Sequence, residues 1–141
     1  MDSPHYFRSC SPSESWWDDA NEQPSSQLFR PTPKDNGKLS VAGDQWTTAK
    51  EFYEEYTLRL GLTSRGVWAV TSSDCQAISV RYRDEQLEIS LIVTEDFGEG
   101  RPRGHCLLHM EDYPPKVQKK IGVVLRDRAV RHGCLYPDGA S

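Results

Sequence analysis

The sequence predicts an α+β domain, in which a mainly antiparallel sheet of about five strands carries two helices packed on one face. Two observations lead to this fold class. Apolar and polar residues alternate through 78–93, on both sides of the polar turn 84–86, which is typical of a β-hairpin with one buried face. Two longer segments, 48–60 and 115–132, instead repeat apolar residues at helical spacing.

Both helices have recognisable ends. Thr48 and Glu51 form a capping-box pattern, in which the hydroxyl accepts from a backbone N–H and the carboxylate reaches back. Gly61 suits the end of this helix. Pro115 suits the start of the second helix, because its missing N–H would have no partner there. The core stripes are Ala49, Phe52, Tyr53, Tyr56 and Leu60 in the first helix, and Val117, Ile121, Val124, Leu125 and Ala129 in the second.

Short apolar runs bounded by turn residues predict the remaining strands. The predicted strands are 39–42, 66–71, 78–83, 87–93 and 104–110. The run 66–71 is apolar almost throughout, which indicates a buried strand.

The charge distribution divides the chain into a tail and a body. Residues 1–27 hold five acidic residues and one basic residue, and their net charge of −4 equals that of the whole chain. They are rich in Ser and Pro and lack apolar periodicity, so we predict a flexible acidic tail. A single α+β domain then spans 28–138, and 139–141 form a frayed C-terminus. The body carries no net charge, which argues against nucleic acid as a partner.

Localisation follows from what the sequence lacks. No apolar run approaches the ~20 residues of a membrane span, and the first residues do not resemble a secretory signal. Cys10, Cys75, Cys106 and Cys134 contain no C-x-x-C pair. We therefore expect a cytoplasmic protein with reduced thiols and no membrane partner.

Histidines and cysteines near the C-terminus are candidate metal ligands. They are His105, Cys106, His109, His132 and Cys134. On a strand, residues four apart are separated by ~13 Å, so His105 and His109 cannot bind one ion. The spacing matches no compact zinc site. We predict no metal and no cofactor, with polar cross-strand packing as the role of these residues.

Two features indicate a protein partner. Trp16 and Trp17 lie beside acidic residues in the tail and predict a docking motif, because Trp is favoured as an interface anchor. The alternative is that the pair folds back onto the domain. Val123 and Val130 lie opposite the core stripe of the last helix, near Lys119, and predict a second partner surface. The leading function is therefore a noncatalytic protein-interaction module, such as an adaptor or regulatory subunit.

Positive charge is concentrated in the C-terminal part of the chain. Residues 101–132 hold eight basic and three acidic residues. This segment is either a solvated face, a surface covered by the acidic tail, or a surface for an anionic partner. Arg128 falls within the apolar stripe of the last helix and so requires a carboxylate or a bound anion. The carboxylate candidates are Glu51, Glu88 and Glu95.

An enzyme is the alternative, although no contiguous catalytic motif is present. Arg30 at an early strand, Thr47 before a helix, and Glu88 or Glu111 at a later strand follow the order of Arg, Ser/Thr and Glu in mono-ADP-ribosyltransferases, which the chain loosely resembles. The resemblance implies that Arg30 holds dinucleotide phosphates, Thr47 shapes a nicotinamide pocket and the Glu stabilises an oxocarbenium-like transition state. The S-T-S and E-x-E runs of that family are missing. This anion- or nucleotide-binding alternative requires the three side chains to share one cleft.

Overall fold

The computed structural model describes residues 3–137, so the predicted frayed C-terminus at 139–141 lies outside the described residues. Nine strands and three α-helices occur in the described chain: β1 His5–Ser9, β2 Trp17–Asp18, β3 Gln23–Pro24, β4 Lys38–Gly43, α1 Ala49–Glu54, β5 Val67–Thr71, α2 Ser72–Gln76, β6 Ile78–Tyr82, β7 Glu85–Ile89, β8 Ile92–Glu95, β9 His105–His109 and α3 Pro115–His132. Two 3-10 turns, Ser26–Phe29 and Pro33–Asp35, precede β4.

A five-stranded antiparallel sheet forms the centre of the protein. Its strand order is β5-β1-β4-β9-β8, and every neighbouring pair is antiparallel. The predicted α+β class with a mainly antiparallel sheet of about five strands is confirmed.

β1 lies inside this sheet, although the sequence places it in the flexible tail. It pairs with β5 at five positions and with β4 at two. Tyr6 and Phe7 are 7% and 4% exposed. The predicted division at residue 28 therefore differs from the structure, in which residues 5–9 are part of the folded domain. Most acidic residues of the segment follow β1, so its average composition concealed a short buried strand.

The two main helices cover opposite faces of the sheet, whereas the sequence predicts both on one face. Tyr6, Trp68 and Val70 belong to the larger apolar core, together with the buried stripe of α3. Phe7 and the alternate residues of β5 form a second core on the other face, against Phe52 of α1. β5 is apolar on both faces, so each face needs a covering helix.

The predicted hairpin forms, but it stands apart from the five-stranded sheet. Within residues 3–137, β6 and β7 pair only with each other, from Ile78↔Ile89 to Tyr82↔Glu85. Arg83 and Asp84 both have positive φ, which makes a two-residue turn one position earlier than predicted. The Leu91 N–H donates to Cys75 O (2.9 Å), and the predicted strand 87–93 breaks there into β7 and β8.

The helix boundaries agree closely with the sequence. The Thr48 hydroxyl accepts from Glu51 N–H (3.1 Å) at the start of α1. A π-helical turn, Glu55–Arg59, extends α1 towards Gly61, whose φ is +67°. α3 spans 18 residues, starts with proline in its first turn and ends at Gly133. The capping residues and the apolar period together account for both helices.

Candidate functional site

The most distinctive surface feature is a groove of about 570 Å³ between the two 3-10 turns and the start of α3. We call it the basic groove. Its lining residues are Gln27, Arg30, Pro31, Thr32, Pro33, Gly37, Pro115, Lys116, Gln118 and Lys119. The volume lies within the range typical of ligand sites.

Close packing holds the walls of the basic groove in place. A Cβ atom at Gly122 would lie 3.1 Å from both Arg30 Cβ and Ser26 O, so glycine lets α3 approach the first 3-10 turn. The Gln118 side-chain amide donates to Met110 O (3.1 Å) and fixes the first turns of α3 against the preceding loop. In the second 3-10 turn, the Thr32 N–H donates to an Asp35 carboxylate oxygen (2.7 Å).

All charged residues that line the basic groove are basic. Arg30, Lys116 and Lys119 border it, and no Asp or Glu is among its lining residues. Within residues 3–137 none of these three cations has a carboxylate partner. Like charges around a concave surface raise the local concentration of anions. The groove is therefore suited to an acidic ligand, while its prolines offer apolar contact.

The three residues of the enzyme alternative do not meet. Arg30 borders the basic groove. Thr47 is 6% exposed and borders a different pocket, beside α1. Glu88 lies on the separate hairpin, where its carboxylate accepts from the Ser79 hydroxyl (3.0 Å). The single cleft that the resemblance to mono-ADP-ribosyltransferases requires is not formed by these side chains.

Trp16 and Trp17 pack onto the domain. Trp17 is 9% exposed, its ring lies 6.3 Å from that of Trp68, and Arg65 stacks over it. Trp16 is half-buried beneath the Arg8 guanidinium, 5.4 Å from the ring centroid. The short ribbon of β2 and β3 holds the pair against the core. The alternative that the pair folds back is the arrangement in the structure.

The outer face of α3 is less apolar than the sequence suggests. Val123 is 37% exposed, but Val130 is half-buried and packs against the larger core. Lys119 is exposed and borders the basic groove. Of the predicted partner residues, Lys119 is the one that lines the basic groove.

Arg128 has a structural role that neither predicted alternative describes. Its guanidinium donates to Asp74 O (2.5 Å) and Ala77 O (2.6 Å), at the end of α2. It pairs with none of the predicted carboxylates. The arginine instead satisfies carbonyls that lose their helical partners where α2 ends.

Asp74 is the ionisable residue at the contact between α2 and α3, which we call the junction. Its carboxylate accepts from the Thr71 N–H (2.8 Å) and lies 2.7 Å from His132 Nε2. Burial by itself would raise the pKa of Asp74, but the hydrogen bonds from Thr71 and His132 outweigh it, so the pKa lies below its ordinary value. The junction ties α2 to the last turn of α3.

Replacing this carboxylate is expected to have a pH-dependent cost. A carboxyl whose pKa is lowered by folding stabilises the folded state above its ordinary pKa of 3.8, and loses this contribution as the pH falls further. Asp74→Asn should therefore lower the free energy of unfolding by about 1.5 kcal/mol at neutral pH. Urea unfolding at several pH values should show the difference from wild type shrinking below about pH 4. Asp84→Asn, on the exposed hairpin turn, is the control and should change little. A deficit that persists undiminished in acid would contradict this role.

The candidate metal ligands are distributed among separate pairs. His105 Nδ1 lies 3.0 Å from an Asp96 carboxylate oxygen, and His109 Nδ1 lies 2.8 Å from Glu111. His132 contacts Asp74. No group of three or more His, Cys, Asp or Glu side chains among residues 3–137 is arranged to hold a metal ion. The four cysteines are free thiols, and burial raises the pKa of each.

Sequence reasoning missed several surface features. Leu58, Leu60 and Leu62 are exposed by 77%, 55% and 47% around the end of the π-helical turn. The helical spacing predicts Leu60 in the buried stripe, but the extra residue in the π turn rotates it outwards. The spacing Pro31-x-Pro33 beside Arg30 was the available signal for the basic groove.

Comparison with known proteins gives no relative from which a role could be transferred. No family model matches the chain, and neither curated proteins nor solved structures provide a match. Within the described chain, no helix has both the length and the apolar character needed to cross a bilayer.

Proposed function

We propose that this chain is a noncatalytic protein-interaction module, an adaptor or regulatory subunit, that binds an acidic extended segment of a partner protein in the basic groove. The observation that carries the proposal is the convergence of Arg30, Lys116 and Lys119 on a groove without a carboxylate in its lining.

The prolines favour a peptide segment as the occupant. Pro31, Pro33 and Pro115 border the groove and provide apolar surface without backbone donors that need a partner. An extended peptide points successive side chains to opposite sides. A segment in which acidic and apolar residues alternate would place carboxylates near the cations and apolar groups against the prolines. The overall charge of −4 works against the long phosphate backbone of a nucleic acid.

The energetics predict modest affinity. Solvent-exposed ion pairs contribute ~0.2–1 kcal/mol each, so three such pairs cannot support tight binding alone. Contact with the prolines has to supply the remainder, and a dissociation constant on the order of micromolar is expected. Such affinity suits a reversible regulatory contact. The proposal includes a cytoplasmic location, which the four unpaired thiols support.

Fluorescence polarisation provides the test. The probe is a fluorescein-labelled peptide in which Glu and Leu alternate, and the reference probe carries Gln in place of Glu. The groove variant combines Arg30→Ser, Lys116→Ser and Lys119→Ser. The matched control, Lys50→Ser with Arg81→Ser and Arg103→Ser, removes three exposed cations elsewhere. Both variants have the same net charge.

The expected result is a loss of affinity of about tenfold or more in the groove variant, with little change in the control. The Gln probe should bind more weakly than the Glu probe to the wild-type chain. If both variants lost affinity for the peptide equally, net charge alone would explain the loss, and the proposal would be wrong.

A further inference from the structure

The central sheet is split next to Arg8. β1 and β4 pair at only two positions, Tyr6↔Gly43 and Phe7↔Ala42, and then diverge. The Arg8 guanidinium bridges the gap: Nη1 donates to Ser40 O of β4 (3.1 Å), and Nε donates to Leu28 O (2.8 Å). An arginine side chain thus takes the place of the backbone ladder between these strands.

A pocket of about 290 Å³ opens beside this gap. Most of its walls are apolar, from β4, α1 with its π turn, and the loop before β9. The lining residues are Arg8, Ser9, Ser40, Val41, Ala42, Phe52, Glu55, Tyr56, Leu60, Pro102 and His105. The lining therefore combines a guanidinium with aliphatic and aromatic surface.

Arg8 forms no ion pair in the part of the chain that the structure describes, and the carboxylate of Asp35 acts on it only from a greater distance. No carboxylate of residues 3–137 lies within 4.0 Å of its guanidinium. Its Nη2 has no acceptor among residues 3–137, although Nε and Nη1 are both bonded. Burial lowers the pKa of Arg8 to about 10, so the side chain is still charged at neutral pH. A desolvated cation favours an anionic partner.

The neighbouring polar groups leave room for such a partner. Tyr56 contributes a hydroxyl that has no hydrogen-bond partner within residues 3–137, and burial raises the pKa of this phenol. Glu55 also borders the pocket, but Arg59 holds its carboxylate in an ion pair. His105 Nδ1 lies 3.0 Å from an Asp96 carboxylate oxygen. Arg8 and Tyr56 therefore each offer a free donor at the pocket.

We propose that this pocket binds a small carboxylate with an apolar body, such as a short-chain or aromatic acid. The carboxylate lies against the Arg8 guanidinium and the Tyr56 hydroxyl, and the apolar body packs against Phe52 and Leu60. One cation in an apolar pocket suits a singly charged carboxylate better than a phosphate, which needs more donors. This site is separate from the basic groove, since the two share no lining residue.

Intrinsic tryptophan fluorescence provides a direct readout, because the Trp16 ring lies 5.4 Å from Arg8 Cζ. The probes are hexanoate and benzoate, with hexanamide, benzamide and inorganic phosphate as references. Calorimetric titration measures affinity independently of the fluorophore. Saturable binding of at least one acid, with a dissociation constant on the order of 1 mM or below, is expected.

Three variants locate the binding. Leu60→Glu brings a negative charge to the rim at a residue already 55% exposed, and should weaken binding about tenfold or more. Leu62→Glu is the matched control, since Leu62 is 47% exposed and does not line the pocket. Tyr56→Phe removes only the hydroxyl and should weaken acid binding severalfold while the fold is unchanged by circular dichroism.

Several outcomes would overturn this proposal. They are amide binding equal to acid binding, phosphate binding tighter than either acid, equal effects of the two leucine variants, and no saturable acid binding up to the order of 10 mM. Loss of peptide binding in the basic groove would leave this result unaffected.

Discussion

A chain shortened to begin at Leu28 is expected to lose its folded structure completely. The deletion removes β1, which lies between β4 and β5 and is the only strand of the five-stranded sheet that pairs with β5. It also removes Tyr6 and Phe7, each buried on a different face of the sheet. Burial of side chains of this size contributes ~1.5–3 kcal/mol each, against a typical total stability of ~5–15 kcal/mol.

Far-UV circular dichroism and amide NMR dispersion measure this outcome. The shortened chain should show no cooperative thermal unfolding, whereas a control that lacks only residues 1 and 2 should unfold at nearly the wild-type temperature. A cooperative transition of normal enthalpy in the chain starting at Leu28 would restore the prediction of a flexible tail at residues 1–27.

Phe29→Ala is expected to be the most damaging single substitution of those considered. Phe29 is fully buried in the first 3-10 turn, which packs closely against α3. Truncating a buried phenylalanine costs ~3–5 kcal/mol, because the lost transfer energy is joined by the cost of a cavity. Phe97→Ala is the matched control: Phe97 is 52% exposed and meets Trp46 edge-on at 4.9 Å. It should cost less than about 1 kcal/mol.

Urea unfolding of both variants gives the comparison, with the free energy of unfolding as the measured quantity. Similar losses at Phe29 and Phe97 would mean that the first 3-10 turn contributes no more to the core than an exposed loop. Arg30 follows Phe29 directly, so a loosened turn should also weaken peptide binding in the basic groove.

Local patterns account for the elements that the sequence predicts well. α3 is defined by proline at its start, Gly133 at its end and an apolar period between them. The hairpin is defined by strict alternation, and its turn needs only two residues with positive φ. In each case the decisive interactions connect residues close in sequence, so one sequence contains the necessary information.

β1 is not predicted by local pattern, for the opposite reason. It has five residues, and its main partner, β5, lies about sixty positions further along the chain. Composition averaged over 1–27 reports the acidic residues after β1 and obscures Tyr6 and Phe7. The apolar run Val67–Thr71 already indicates that both faces of the sheet are covered, because a strand buried at successive positions needs apolar neighbours on both sides.

The sequence predicts some residues of the candidate site, but it does not predict that they come together in one groove. Arg30 and Lys119 were each singled out, for different reasons, but only the packing of α3 at Gly122 brings their segments together. Arg8 carried no sequence signal, because its importance comes from the divergence of β1 and β4. Such tertiary juxtapositions have no local periodicity.

The two edge strands of the five-stranded sheet, β5 and β8, differ in the hydrogen bonds that their outer sides already make. At β5, Val67 exchanges backbone hydrogen bonds with Leu135 and Tyr136, and the Thr71 N–H is taken by Asp74. At β8, no described strand pairs with the outer side, and Ile92 is 67% exposed. A further strand can add at β8, whereas the outer side of β5 is already bonded at Val67 and Thr71. Two copies joined through β8 would make a ten-stranded sheet with β5 at both of its outer edges.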